Sequence, residues 1–217
     1  MNTSNKKNIV IKIGTTSIIK NGKVDPALLE SMVGLIKKFK NQYNFVIVTS
    51  GAVGLGASKL NYKTRPKSLK RLQVASAVGQ IELINQYEKI FNDQNLNVAQ
   101  VLITKNLIDD REQFINTTQA LNELLLQGII PVINENDVVA TEELKFGDND
   151  RLSAIVSIIV NAVKLIIITN KEGLYNFNPD KNKEAKKIDY IEYDSNQLND
   201  LIPCLLYTSP SPRDLHW

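Results

Sequence analysis

IIPVINENDVVATEELKFGDNDRLSAIVSIIVNAVKLIIIT, residues 129–169, carries three kinds of pattern in one run. Its opening, IIPVIN (Ile129–Asn134), is a short apolar segment of strand length. DNDRLSAIVSIIVNAV (Asp148–Val163) is almost wholly apolar after its first residues and long enough for a buried helix. KLIIIT (Lys164–Thr169) is a second apolar strand. Between the first strand and the helix lies a polar, Gly-containing connection with carboxylates and amides clustered at both ends. Strand, helix, strand is a βαβ unit, and strands this apolar belong in a parallel sheet covered on both faces.

The same rhythm extends upstream. NIVIKIG (Asn8–Gly14) is a β-branched run ended by Gly, and DPALLESMVGLIKKFKNQ opens with Asp25 at the N-cap and Pro26 at the first helical position. NFVIVTSG (Asn44–Gly51) is a strand, residues 67–92 have helical spacing, and NVAQVLIT (Asn97–Thr104) is another strand. REQFINTTQALNELLLQG is a helix closed by Gly128. The expectation is an α/β domain with a mostly parallel sheet and right-handed crossovers. Ligands of such sheets collect outside the carboxyl ends of the strands. The loops there are KIGTTS, TSGAVGLG, NENDVVATEELKFGDND and TNKEGLY, all rich in Gly, Thr, Ser, Asn and Asp, and all expected to face one crevice.

Composition narrows the chemistry. The 217 residues, 43% hydrophobic and 23% charged, match a globular domain. A chain of this size buries roughly 70% of its unfolded surface. No apolar run approaches the roughly 20 residues needed to span a bilayer, and the start has no signal-peptide pattern, which points to the cytoplasm. A net charge of +3 without aromatic interleaving gives no nucleic-acid signature. The single Cys, His and Trp are Cys204, His216 and Trp217. Upstream of them no thiol, imidazole or disulfide is possible, so Ser-His triads and His-ligated metals are excluded there. From about Pro203 the chain drops its βα rhythm for a Ser/Pro run; residues 203–217 read as a non-native or disordered tail.

Three constellations remain. Lys12 stands near the carboxyl end of the first strand, two residues before a Gly, where an ammonium could hold phosphate oxygens. A solvent-facing lysine on an edge strand is the alternative. TSGAVGLG offers Ser50 and three glycines, Gly51, Gly54 and Gly56, at a strand-to-helix turn where backbone N–H groups attract anions. It matches neither the P-loop nor the dinucleotide fingerprint, and glycines that merely allow close packing would look the same. NEND and GDND supply Asn134, Glu135, Asn136, Asp137, Asp148, Asn149 and Asp150. They could bind a divalent metal, recognise a substrate ammonium, orient lysines, or serve as Asx turns and a helix cap.

Taken together, VIKIGTTSI, VIVTSGAVGLG, VASAVGQ, QVLIT, DREQFIN, IIPVINENDVVA, KFGDNDRLSA and TNKEGLY, in this order, resemble the amino acid kinase family over roughly Asn8 to Ile202. PVINENDVVA followed by FGDNDRLSA resembles its glutamate-phosphorylating branch. The resemblance implies a three-layer α/β/α sandwich with a mostly parallel central sheet, a kinase domain over 1–202 incomplete at its C-terminal end, and ATP-dependent phosphorylation of the side-chain carboxylate of L-glutamate. It implies ATP with Mg²⁺, with no metal ligand assigned to the protein, and proline as a possible feedback inhibitor of a homo-oligomer. By matching motif, Lys12 would contact the nucleotide phosphates and Asp150 would organise the phosphate-binding lysines, as the catalytic pair. Ser50, Asp137 and Asn149 would bind glutamate, and Thr169 and Asn170 would line the ATP pocket. Two departures stand out: family members usually carry Thr-Asp where this chain has Thr169-Asn170, and they continue into a Gly-rich segment with a second lysine that this chain lacks. Acetylglutamate or aspartate phosphorylation, and an inactive or regulatory amino-acid-binding fragment, are the competing expectations.

Overall fold

The computed structural model describes residues 6–139, 149–170, 173–177 and 182–192. The chain divides into two compact units, Met1–Ile168 and Thr169–Trp217. In the first unit five parallel strands form one sheet in the order β5-β6-β4-β1-β7, from β1 (Lys7–Ile13), β4 (Tyr43–Val48), β5 (Val98–Ile103), β6 (Ile130–Glu135) and β7 (Ala162–Ile168). The registers Ile11↔Ile47 and Ile11↔Ile166 place β1 in the interior of the sheet.

Alternation along the strands feeds two cores. Ile11, Ile13, Phe45, Ile47, Ile130 and Val132 face α2 (Pro26–Phe39) and α4 (Leu69–Asn92), packing against Leu29, Met32, Val33, Ile36, Leu83, Tyr87 and Phe91. Val10, Val46, Val48 and Ile133 face the opposite way, against Leu121 and Leu125 of α5 (Arg111–Leu126) and Leu152, Ile155, Val156 and Ile159 of α6 (Asn149–Ile159). The result is the expected three-layer sandwich. Burial of each fully enclosed Leu, Ile or Phe contributes about 1.5–3 kcal/mol, which explains why a period-2 apolar pattern is kept on both strand faces.

The helix caps follow the sequence. Asp25 accepts from the Ala27 N–H at 3.2 Å ahead of Pro26. Asp110 accepts from the N–H groups of Glu112 and Gln113, each at 3.0 Å, to start α5. Other features depart from the expectation. The apolar helix ends at Ile159 rather than Val163, because Asn161 takes φ 48° and turns the chain, so that Ala162 and Val163 join β7. Beyond KIGTTS, expected as a loop, residues 15–24 form a helical turn, α1 (Thr15–Ile18), and a two-strand hairpin, β2 (Ile19–Lys20) with β3 (Lys23–Val24). Its turn is Asn21-Gly22, with φ of 51° and 73°, the pair that a two-residue hairpin of this twist requires. Lys20 pairs with Asp25 across this hairpin and holds the Asp25 carboxyl below its ordinary range. A further helix, α3 (Ala52–Lys59), precedes α4.

The second unit contains a small antiparallel pair, β8 (Leu174–Tyr175) with β9 (Lys187–Ile188), where the Asn176 side chain accepts from the Lys186 N–H at 2.7 Å. Residues 193–217, including the expected non-native tail, lie outside the described residues, as do 140–148 with their expected hairpin-like excursion.

Candidate active site

The topology fixes where a ligand belongs. Connections β1–α2–β4 and β4–α4–β5 travel towards the β5 edge with their helices on one face. Connections β5–α5–β6 and β6–α6–β7 travel back with theirs on the other. A right-handed crossover demands this change of face when direction reverses. The neighbours β4 and β6 therefore send their chains to opposite faces, and their carboxyl ends mark the switch point at which such sheets bind ligands.

Thr49, Ser50 and Gly51 leave β4 at that point, and the Thr49 N–H still bonds the Ile133 carbonyl of β6 at 2.8 Å. Gly51 has φ 105°, and a Cβ there would stand 2.8 Å from Cγ1 of Ile19, so only glycine fits. On the β6 side come Asn134 and Glu135, both buried, then Asp137 opening a 3₁₀ turn (Asp137–Val139). Asn149, the first residue of α6, joins the two sides. Its Nδ2 lies within hydrogen-bond reach of three acceptors that share its two N–H groups: the Thr49 carbonyl, Ser50 Oγ at 2.9 Å and Asn134 Oδ1 at 2.9 Å. Its own Oδ1 is buried without a hydrogen-bond partner among the described residues.

Lys12 shares the strand face of Val10, the face that α6 covers, and pairs with Asp150 one residue beyond Asn149. It is 7% exposed on an interior strand, which removes the reading of a solvent-facing edge lysine. A Cβ on Gly14 would stand 3.7 Å from Lys12 Nζ, so the glycine backbone lies beside the ammonium at the end of β1.

Asp137 is held from α4: Ser76 Oγ donates to its Oδ2 at 2.8 Å. One turn on, Gln80 Oε1 accepts from Asn134 Nδ2 at 2.8 Å, and two turns further Tyr87 donates its hydroxyl to Thr49 Oγ1 at 3.0 Å. Desolvation lowers the Arg65 guanidinium from its ordinary value, and the charge of Asp137 acts against that shift. The sequence reading passed over Ser76, Gln80, Tyr87, Thr49 and Arg65. Its one available signal was VASAVGQ, where Ser76 and Gln80 put polar groups on the buried face of α4.

Of the expected site residues, Lys12, Ser50, Asp137, Asn149 and Asp150 thus gather around one sheet end. Thr169 and Asn170 open the second unit and are exposed, and Asp148 lies outside the described residues. Among the described residues no group of three or more His, Cys, Asp or Glu forms a metal-like cluster. No helix there is long and apolar enough to cross a membrane. The glycines divide: Gly51 serves the turn, while Gly56 serves packing, since a Cβ on it would meet the Ala75 carbonyl oxygen of α4 at 1.7 Å.

The amino acid kinase family model matches residues 7–202. Glutamate 5-kinase of Prochlorococcus marinus strain MIT 9301 is 47% identical over 186 residues, 84% of this chain and 51% of that protein. Glutamate 5-kinase 1 of Bacillus subtilis strain 168 is 44% identical over 188 residues, 86% of this chain and 52% of its own length. The chain spans about half the length of the curated relatives it matches. Among solved structures, an isopentenyl phosphate kinase superposes with TM-score 0.59 at 17% identity, over 93% of this chain and 86% of its own. UMP kinase from Ureaplasma parvum gives 0.55 at 18% identity, over 95% and 83%. These two share the fold.

Proposed function

This chain belongs to the amino acid kinase family, and from that premise we propose that it carries the amino-acid-binding half of a glutamate 5-kinase, the enzyme that transfers phosphate from ATP to the side-chain carboxylate of L-glutamate. The kinase domain on this reading covers residues 1–202. The observation that carries it is the Asn149 junction, which joins the ends of β4 and β6 beside the Lys12–Asp150 pair.

A carboxylate has an ordinary pKa near 4.3 and is ionised at neutral pH, so the nucleophile needs no base. That accounts for a site without histidine or cysteine. What the reaction needs is alignment of two anions and relief of their repulsion. Lys12 supplies positive charge at the β1 end, and Asp150 fixes where its ammonium points. Ser50, Asp137 and Asn149 hold the amino acid, with the acceptor oxygens of Asp137 and Asn149 suited to its ammonium group. ATP with Mg²⁺ would supply the phosphoryl group and neutralise its charge, with Thr169 and Asn170 on the nucleotide side. Proline, sharing the ammonium and carboxylate of glutamate, would compete for the same subsite in a homo-oligomeric enzyme.

The test is incubation of the chain with L-glutamate, ATP and Mg²⁺ in hydroxylamine, which traps an acyl phosphate as its hydroxamate, alongside calorimetric titration with L-glutamate. Hydroxamate formation, or saturable glutamate binding without turnover, supports the assignment in whole or for the binding half. Turnover or binding of aspartate or N-acetylglutamate in preference to glutamate would sink it.

A further inference from the structure

We propose that Ser76 and Gln80, one turn apart on α4, are positioning residues that set the site to receive an ammonium group. The inference rests on the glutamate reading above and names which groups give it selectivity for a free amine.

The direction of every amide in the relay is fixed by backbone groups that cannot reverse. The Glu135 N–H only donates, so the atom of Asn134 it meets at 2.9 Å is Oδ1. Asn134 Nδ2 then faces α4, and Gln80 must accept from it, which it does at 2.8 Å. The Thr49 carbonyl only accepts, so the atom of Asn149 beside it is Nδ2. Asn149 Nδ2 is thereby committed to protein acceptors, and Oδ1 is the atom left for a ligand. That oxygen can be satisfied only by a donor. Ser76 works in parallel, holding Asp137 Oδ2 at 2.8 Å so that its carboxylate keeps a fixed orientation.

Without Gln80 the buried Asn134 Nδ2 loses its acceptor, and the relay can relax by swinging Asn134 away from Asn149. Without Ser76 the Asp137 carboxylate loses the hydrogen bond to its Oδ2. Either change should harm recognition of the amine more than recognition of the two carboxylates.

The experiment titrates the chain and three variants with L-glutamate and with glutarate, the same diacid lacking the amine. Gln80→Met and Ser76→Ala are expected to weaken glutamate binding about tenfold, as a buried group left without its partner does. Glutarate affinity should be unchanged, so the ratio of the two dissociation constants falls. Ser76→Thr keeps the hydroxyl and should bind glutamate as the unchanged chain does. Equal losses for both ligands, a loss for neither, or a Ser76→Thr loss as large as that of Ser76→Ala would overturn the positioning role. If Gln80→Met does not fold, the Ser76 pair decides the question. An unchanged chain that fails to bind glutamate rejects the glutamate reading itself, and is distinguished by needing no variant.

Discussion

Lys12 owes its place to parity. In KNIVIKI the even positions 8, 10 and 12 share one strand face, and Val10 is buried there under α6. Two residues further along, where the helix begins, the same face carries an ammonium opposite Asp150. Sequence alone left an edge lysine and a phosphate ligand equally open, because strand order is invisible in a local pattern; the interior position of β1 removes the edge reading. Replacing Lys12 by Ala should slow hydroxamate formation by two to three decades, about 3–4 kcal/mol, as when a donor to developing charge is lost. The glutamate dissociation constant should stay put, since the amine-facing groups lie in the turn after β6 and on α6. A parallel loss of glutamate affinity would place Lys12 in amino-acid binding instead.

At the level of elements, α4 does more than cover the sheet. Through Ser76, Gln80 and Tyr87 it reaches Asp137, Asn134 and Thr49, and it is pressed onto α3 at two glycines. A Cβ on Gly79 would meet the Ala52 carbonyl oxygen at 1.8 Å and the Gly56 nitrogen at 2.4 Å, both rigid backbone. Gly79→Ala should therefore destabilise the chain by about 3 kcal/mol or more in denaturant unfolding, at the upper end of overpacking costs, and also weaken glutamate binding because residues 76 and 80 flank it. Tyr87 tests the same helix through pH. Burial pushes its phenol well above the ordinary value, opposed in part by the hydrogen bond to Thr49. The folded state then keeps a proton that the unfolded chain releases near pH 10, so this group's stabilisation is present below about pH 10 and fades as pH rises further. Tyr87→Phe should cost about 0.5–1.5 kcal/mol at neutral pH, yet lose less stability above about pH 10 than the unchanged chain. Helix α3 escaped the sequence reading because Gly54 and Gly56 lower local helix propensity, and the partner that makes Gly56 necessary, Ala75, stands on the next helix.

Across the whole first unit, the alternation of strands and helices was legible because each element carries its own period, whereas the order β5-β6-β4-β1-β7 was not. It depends on pairings such as Ile11 with Ile166, which no window of sequence contains. The site inherits that split. Its residue types were readable in NEND and GDND, but their meeting with Ser50 needs β6 beside β4 and α6 over both. If the reversal of direction between β4 and β6 is what makes the binding crevice, glutamate should protect only the carboxyl end of the sheet. Hydrogen exchange read by mass spectrometry should slow at residues 49–53, 134–137 and 149–153 on adding glutamate. The opposite end offers a control within the same molecule. There a cavity lined by Lys6, Lys40, Tyr43, Asn44, Asn95 and Asn97 lies against the amino ends of β4, β5 and β6, and exchange at those residues should not change. Protection at that cavity, with none at residues 134–137, would mean that glutamate binds at the wrong end of the strands for Lys12 to act on it, and the topological argument for the site would fail.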